Sequence, residues 1–181
     1  QWNNPAHLEA ARDIARKSIV LLRNENSSLP LRKAWFRDPA KPVIAMVGPF
    51  VKAKSDHLGF WSYDWPDDSL RISSTWEAVQ RRAWPGTELL YARGCGIADS
   101  SRTGFEEAIQ VAGRADIVIV AIGEARDMSG EAKSRSAIRL PGVQEELVKA
   151  LVATGKPVVV LMHAGRPLVF NWIRENVPTI V

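Results

Sequence analysis

IVIVAIG (Ile117–Gly123) runs directly into EARDMSGEAKSRS (Glu124–Ser136) and then, through AIR, into LPG (Leu140–Gly142). Seven consecutive β-branched or small apolar residues cannot make a strand with one wet face. The run therefore reads as a strand buried on both faces of a parallel sheet. Its carboxyl end is the expected site edge, because ligands of open α/β sheets bind outside the carboxyl ends of the strands, where loops carry the chemistry. The loop that follows holds two glutamates, Glu124 and Glu131, beside Arg126, Lys133 and Arg135.

Outward from this run, strands and helices alternate. Val43–Val47, closed by Gly48 and Pro49, reads as a first strand, residues 88–92 as a second and residues 158–162 as a fourth. Ser74 with Glu77, and Thr103 with Glu106, have capping-box spacing for helices through Arg82 and Ala112. Pro141 suits the first turn of a helix from Gly142 to Ala153, and Gly155 its left-handed cap. Leu8, Ala11, Ala15, Ile19 and Leu22 recur at helical spacing, which predicts an amphipathic helix from His7 to Leu22. The Asn-, Ser- and Pro-rich stretch from Arg23 to Pro42 reads as a loop or linker. Pro178 to Val181 looks like the start of another strand. The expected fold class is α/β, a three-layer α/β/α sandwich with a mostly parallel sheet. Residues 43–181 are expected to form the sandwich domain, truncated at its C-terminus, and residues 1–42 to be an N-terminal helix and linker leading into it.

A chain of 181 residues with 46% hydrophobic and 24% charged residues suits one soluble domain. Its apolar runs fall short of the roughly 20 residues that span a bilayer, so no membrane association is expected. The net charge is +4, but Lys and Arg are interleaved with 20 acidic residues along the chain, and no nucleic-acid binding is expected. The single Cys95 excludes an internal disulfide and leaves the compartment open. His7, His57 and His163 make no metal-ligand spacing. No dinucleotide fingerprint or P-loop is present. Neither metal nor cofactor is expected.

Glu131, between Gly130 and Ala132, is placed where a carboxyl group can approach a ligand closely, as a general acid must. Glycoside hydrolysis uses a pair of such carboxyls. The ordinary alternative is a solvated glutamate paired with Lys133 or Arg135. Glu124, confined after Gly123, suits hydrogen bonding to the loop backbone. Arg135 is expected to position Glu131 or a substrate hydroxyl, with an exposed salt bridge as the alternative. Trp61 and Trp65, in GFWSYDW with Asp64, suit stacking on a sugar face; core packing is the alternative for each. His163 ends its strand at the same edge, as a satisfied structural histidine.

Several stretches together resemble the C-terminal α/β sandwich domain of glycoside hydrolase family 3, the family of many β-glucosidases and β-xylosidases. They are ARDIARKSIVLLRNENSSLPL, IAMVGP, GFW, ADIVIVAIGE, SGEAKSR and LPGVQEELVKALVATGKPVVVLMHAGRPL, in order along nearly the whole chain. In that family an aspartate on an N-terminal (β/α)8 barrel is the nucleophile, and a glutamate from the sandwich domain is the acid/base. The resemblance implies that Glu131 is that glutamate and that Trp61, with Trp65 the weaker carry-over, lies near the pocket mouth. His163 stands where members related to periplasmic β-glucosidases usually show Asn.

The expected function is the acid/base-contributing domain of a retaining exo-acting β-glycosidase acting on a β-linked oligosaccharide or glycoside. Its expected partner is the N-terminal barrel of the same protein, and the chain is expected to be a fragment, inactive alone. Apolar surface where the barrel docks is expected to make the isolated chain sticky or a homodimer. Resemblance to periplasmic members implies export. Two rival readings are a non-catalytic α/β module that binds a small ligand such as a carbohydrate, and a purely structural interaction domain.

Overall fold

The computed structural model describes residues 4–62 and 72–181. Six strands form one sheet: β1 (Arg23–Asn24), β2 (Val43–Val47), β3 (Glu88–Ala92), β4 (Ile117–Gly123), β5 (Val158–His163) and β6 (Thr179–Ile180), in the order β1-β6-β5-β4-β2-β3. All pairings are parallel except that of β1 with β6. The helices described are α1 (Pro5–Ser18), α2 (Thr75–Arg82), α3 (Phe105–Arg114), α4 (Gln144–Val152) and α5 (Asn171–Asn176).

The expected central strand is β4, and all seven of its residues are buried. Its side chains alternate between two cores, as strand periodicity requires. Val118, Val120 and Ile122 pack with Ala108 and Ala112 of α3, Leu147 and Leu151 of α4 and Ile173 of α5. Ile117, Ile119 and Ala121 share the other core with Phe36, Met46 and Phe50, against Trp76 and Val79 of α2 and Trp84. Each buried Ile, Leu or Val contributes about 1.5–3 kcal/mol to burial, so both faces bind β4 firmly and fix its carboxyl end.

The sequence order reverses between β2 and β4, which are neighbours although β3 lies between them in the chain. Ligands of open α/β sheets bind outside the carboxyl ends of the strands near such a switch point.

Four local expectations are corrected. The first helix stops at Ser18: Ile19 is extended, and the N–H of Leu22 donates to the Ile180 carbonyl at 2.9 Å. Pairing with β6 takes the apolar run Ile19–Leu22 out of the helix, and the stretch expected to be a plain linker contributes β1. The helix expected from Gly142 begins at Gln144, because Gly142 has φ +59, outside the helical region. Thr103 caps nothing: Gly104 is the N-cap of α3, and the Thr103 hydroxyl lies 3.0 Å from the Ser101 hydroxyl. The Ser74–Glu77 capping box, in contrast, has both of its hydrogen bonds.

Candidate functional site at the carboxyl ends of β4 and β5

Gly123, the last residue of β4, pairs with His163, the last of β5. The strands are so close here that a Cβ on Gly123, at φ +153, would land on the His163 carbonyl. The next N–H, from Glu124, donates to that same carbonyl at 2.9 Å. Gln144, fully buried at the start of α4, accepts from the Gly123 N–H and donates to its carbonyl, both at 2.8 Å. The end of β4 is thus fixed from both sides before the loop begins.

Glu124 is the charged centre of the edge. It is only 4% exposed, and its carboxylate lies between two guanidiniums, Arg135 on Oε1 and Arg166 on Oε2, the latter at 3.2 Å. Its side-chain partners are therefore two arginines rather than the loop backbone. The arginines reach the backbone in its place. Arg166 Nη2 donates to the carbonyls of Met128 and of Lys133, the latter at 2.8 Å. Arg135 Nη2 donates to the Arg139 carbonyl at 3.2 Å.

Glu131 lies on the segment that this clamp encloses. The N–H of Lys133 donates to the Gly130 carbonyl at 3.2 Å, and Ala132 has φ +57. Glu131 therefore occupies the second position of a β-turn whose third residue is left-handed, as in a type II turn, and its side chain is exposed to solvent. The turn rests on Phe60: a Cβ on Gly130 would penetrate the Phe60 ring, and the Lys133 ammonium stands 5.9 Å from the ring centre. Phe60 in turn meets Trp61 edge-on, with ring centres 5.1 Å apart. Trp61 is 76% exposed, so its indole is open beside the Glu131 turn. Arg126 ties the two loops together, its N–H donating to Asp56 Oδ1 at 3.1 Å and its Nη2 to the Ser62 hydroxyl at 2.9 Å. Trp65 lies outside the described residues.

Behind this edge opens a groove of about 820 Å³ lined by His57, Phe60, Arg126, Ser129, His163 and Arg166 and bordered by Ile19, Val20 and Leu22. His163 stacks on Phe50 with ring centres 5.1 Å apart, and His57 stands 4.9 Å from it. Burial, and then the neighbouring His57, push the His163 pKa down to about 4. Burial also lowers that of His57, against the opposing pull of Asp56. Both imidazoles are neutral at neutral pH, and the Nε2 atoms of both are buried without a hydrogen-bond partner, so His163 is not the satisfied histidine expected. Among the described residues no cluster of three or more His, Cys, Asp or Glu could hold a metal ion, and no helix is long and apolar enough to cross a membrane.

Sequence reasoning missed two features of this edge, the meeting of His57 with His163 and the role of Arg166. The available signal for Arg166 was a charged residue, right after Gly165, at the carboxyl end of a buried strand, where an unpaired guanidinium would be costly.

The family model described as the glycosyl hydrolase family 3 C-terminal domain matches residues 19–181. A beta-xylosidase of Formosa agariphila is 34% identical over 97% of this chain and 24% of its own length. A periplasmic beta-glucosidase of Salmonella typhimurium is 35% identical over 90% of the chain and 23% of its own length. Among solved structures, the beta-glucosidase from Listeria innocua in complex with glucose superposes with a TM-score of 0.81 at 28% identity, over 99% of this chain and 23% of that one. The chain spans about a quarter of the length of these relatives. A model match over nearly the whole chain, with relatives above 30% identity, establishes that the chain belongs to glycosyl hydrolase family 3 and carries its C-terminal domain.

Proposed function

We propose that this chain contributes the general acid/base, Glu131, to a retaining exo-acting β-glycosidase, and that the nucleophilic carboxylate comes from a barrel domain of a longer protein. The observation that carries this reading is the contrast between two loop carboxylates. Glu124 is buried and neutralised by two arginines, whereas Glu131 is exposed at the tip of a turn held on Phe60 beside an open indole. A retaining pair needs its carboxyls about 5–5.5 Å apart. Glu124, already committed to two cations, is a poor second member, so the nucleophile is assigned to the missing partner.

The apolar surface supports such a partner. Leu8 and Ile14 on α1, and Ile19, Val20, Leu21 and Leu22 after it, are all exposed. Exposed large apolar side chains concentrated in one segment are commonly covered by another domain or protein. In the proposed reaction Glu131 protonates the departing glycosidic oxygen as the nucleophile attacks the anomeric carbon. It then takes a proton from the water that releases the sugar. Trp61 would offer its face to the sugar or aglycone at the mouth of the pocket.

The test is the leaving-group dependence of Glu131→Gln in the longer protein. Turnover of β-glucosides or β-xylosides with alkyl or sugar leaving groups should fall about 10²- to 10⁴-fold, while glycosylation by a nitrophenyl substrate, which departs without protonation, should change little. An equal effect on both substrate types would contradict the acid role.

A further inference from the structure

We propose that Glu124, acting through Arg166, is a positioning residue that holds the Glu131 turn in register with the sheet edge; this rests on the reading of Glu131 as acid/base. The two carbonyls that Arg166 binds, those of Met128 and Lys133, lie on either side of Glu131 in the chain. Both are fixed by one nitrogen, Nη2, of one planar guanidinium. The orientation of that guanidinium is set by its Nε, which donates to Glu124 Oε2 at 3.2 Å. Glu124 is anchored to rigid structure, since its own N–H is bonded to His163 at the end of β5 and it directly follows β4. The connection therefore runs from the paired strand ends to Glu124, from Glu124 to Arg166, and from Arg166 to both flanks of Glu131.

The loop's other side-chain ties bear on its two ends: Arg126 bonds Asp56 and Ser62 near its start, and Arg135 bonds the Arg139 carbonyl near its end. Its internal backbone bonds are the short turns of Met128 onto Ala125 and of Lys133 onto Gly130, which fix local shape and not placement. Packing of Gly130 on Phe60 sets how far the turn can sink, but Phe60 itself belongs to a loop. A charged acceptor is needed at Glu124 because two guanidiniums converge on it. A carboxylate accepts from both in charge-assisted bonds, whereas a carboxamide offers one oxygen and no charge. Displacing a catalytic group by about 1 Å can cost on the order of 100-fold in rate, so the clamp is a kinetic device as well as a structural one.

Two variants test this in the longer protein, alongside Glu131→Gln. Glu124→Gln removes the charge. Arg166→Lys keeps a cation, but its single ammonium cannot bond Glu124 and the two carbonyls from the two separate nitrogens, Nε and Nη2, that the guanidinium provides, and it carries the test if Glu124→Gln does not fold. Each should lower kcat for poor leaving groups about 100-fold, move the basic limb of the pH–rate profile, and gain nothing from added azide, since the Glu131 carboxylate is still present. Amide exchange at residues 130–136 of the 181-residue chain should accelerate at least about 10-fold, with β4 and β5 unchanged. If Glu131→Gln is impaired while both clamp variants keep wild-type kcat and pH profile, the positioning role is wrong and the reading of Glu131 stands. If Glu131→Gln is fully active, that reading fails and the positioning role falls with it.

Discussion

The side-chain amide of Gln144 pairs with the backbone of Gly123 as a neighbouring strand would, accepting from its N–H and donating to its carbonyl, both at 2.8 Å. The same amide nitrogen also donates to the Ile97 carbonyl at 2.7 Å. One buried side chain therefore closes the hydrogen bonding at the end of β4, where no further strand residue is available to do so.

Gln144→Leu should accordingly be among the more damaging substitutions that conserve volume. It leaves the Gly123 N–H and the carbonyls of Gly123, Ile97 and Pro141 with fewer partners, at about 1–3 kcal/mol per unsatisfied buried group. Equilibrium urea unfolding should show a loss of several kcal/mol, whereas a cost below about 1 kcal/mol would mean that water reaches these groups.

Gly123→Ala should be worse still. The new methyl group would collide with the His163 backbone, which is held by the β4–β5 pairing and cannot rotate away as a side chain could. The strand ends must separate, which also breaks the bond from the Glu124 N–H to that carbonyl. The expected readout is low soluble yield or a Tm lowered by 5 °C or more, on the scale of about 2–4 °C per kcal/mol for a chain of this size.

His163 should make the domain acid-sensitive. With its pKa pushed down to about 4 from 6.5, the folded state binds fewer protons than the unfolded one between those values. Stability from this group is therefore full above pH 6.5 and is lost as pH falls towards 4. At about 1.36 kcal/mol per pH unit this amounts to roughly 3 kcal/mol. His163→Asn should flatten the stability profile between pH 4 and 6.5, although it gives up the stacking on Phe50 at neutral pH. An unchanged slope in the variant would assign the acid sensitivity to other groups.

The two capping-box patterns give a matched pair of predictions. Ser74→Ala should cost about 1 kcal/mol, because its hydroxyl accepts from the Glu77 N–H at 3.2 Å and the Glu77 carboxylate returns the bond. Thr103→Ala should stay within about 0.5 kcal/mol, because Thr103 caps no helix. Thermal unfolding of both variants separates the two cases.

Those two motifs also show how far the sequence is legible. Both have the same spacing, and they differ in what competes for the hydroxyl: Ser101, beside Thr103, draws it into the loop. Buried runs such as Ile117–Gly123 are legible because seven apolar residues admit one environment. A two-residue strand such as β1 exists only through its pairing with β6, near the other end of the chain, and no local pattern announces it. Glu124 could be read as confined from Gly123 and the strand end. That Arg166 is one of its two guanidinium partners depends on β5 lying next to β4, which is a property of sheet order. The meeting of His57 with His163 beside Phe50 is hidden for the same reason.

The most direct measurement of the central claim is azide rescue of Glu131→Ala in the longer protein, with a nitrophenyl β-glycoside as substrate. If Glu131 is the acid/base, the variant accumulates a glycosyl-enzyme that water attacks slowly, and azide should restore turnover while releasing a β-glycosyl azide of retained configuration. Turnover that is unaffected by the mutation, or that is lost and not recovered by azide with no glycosyl azide formed, would contradict the assignment.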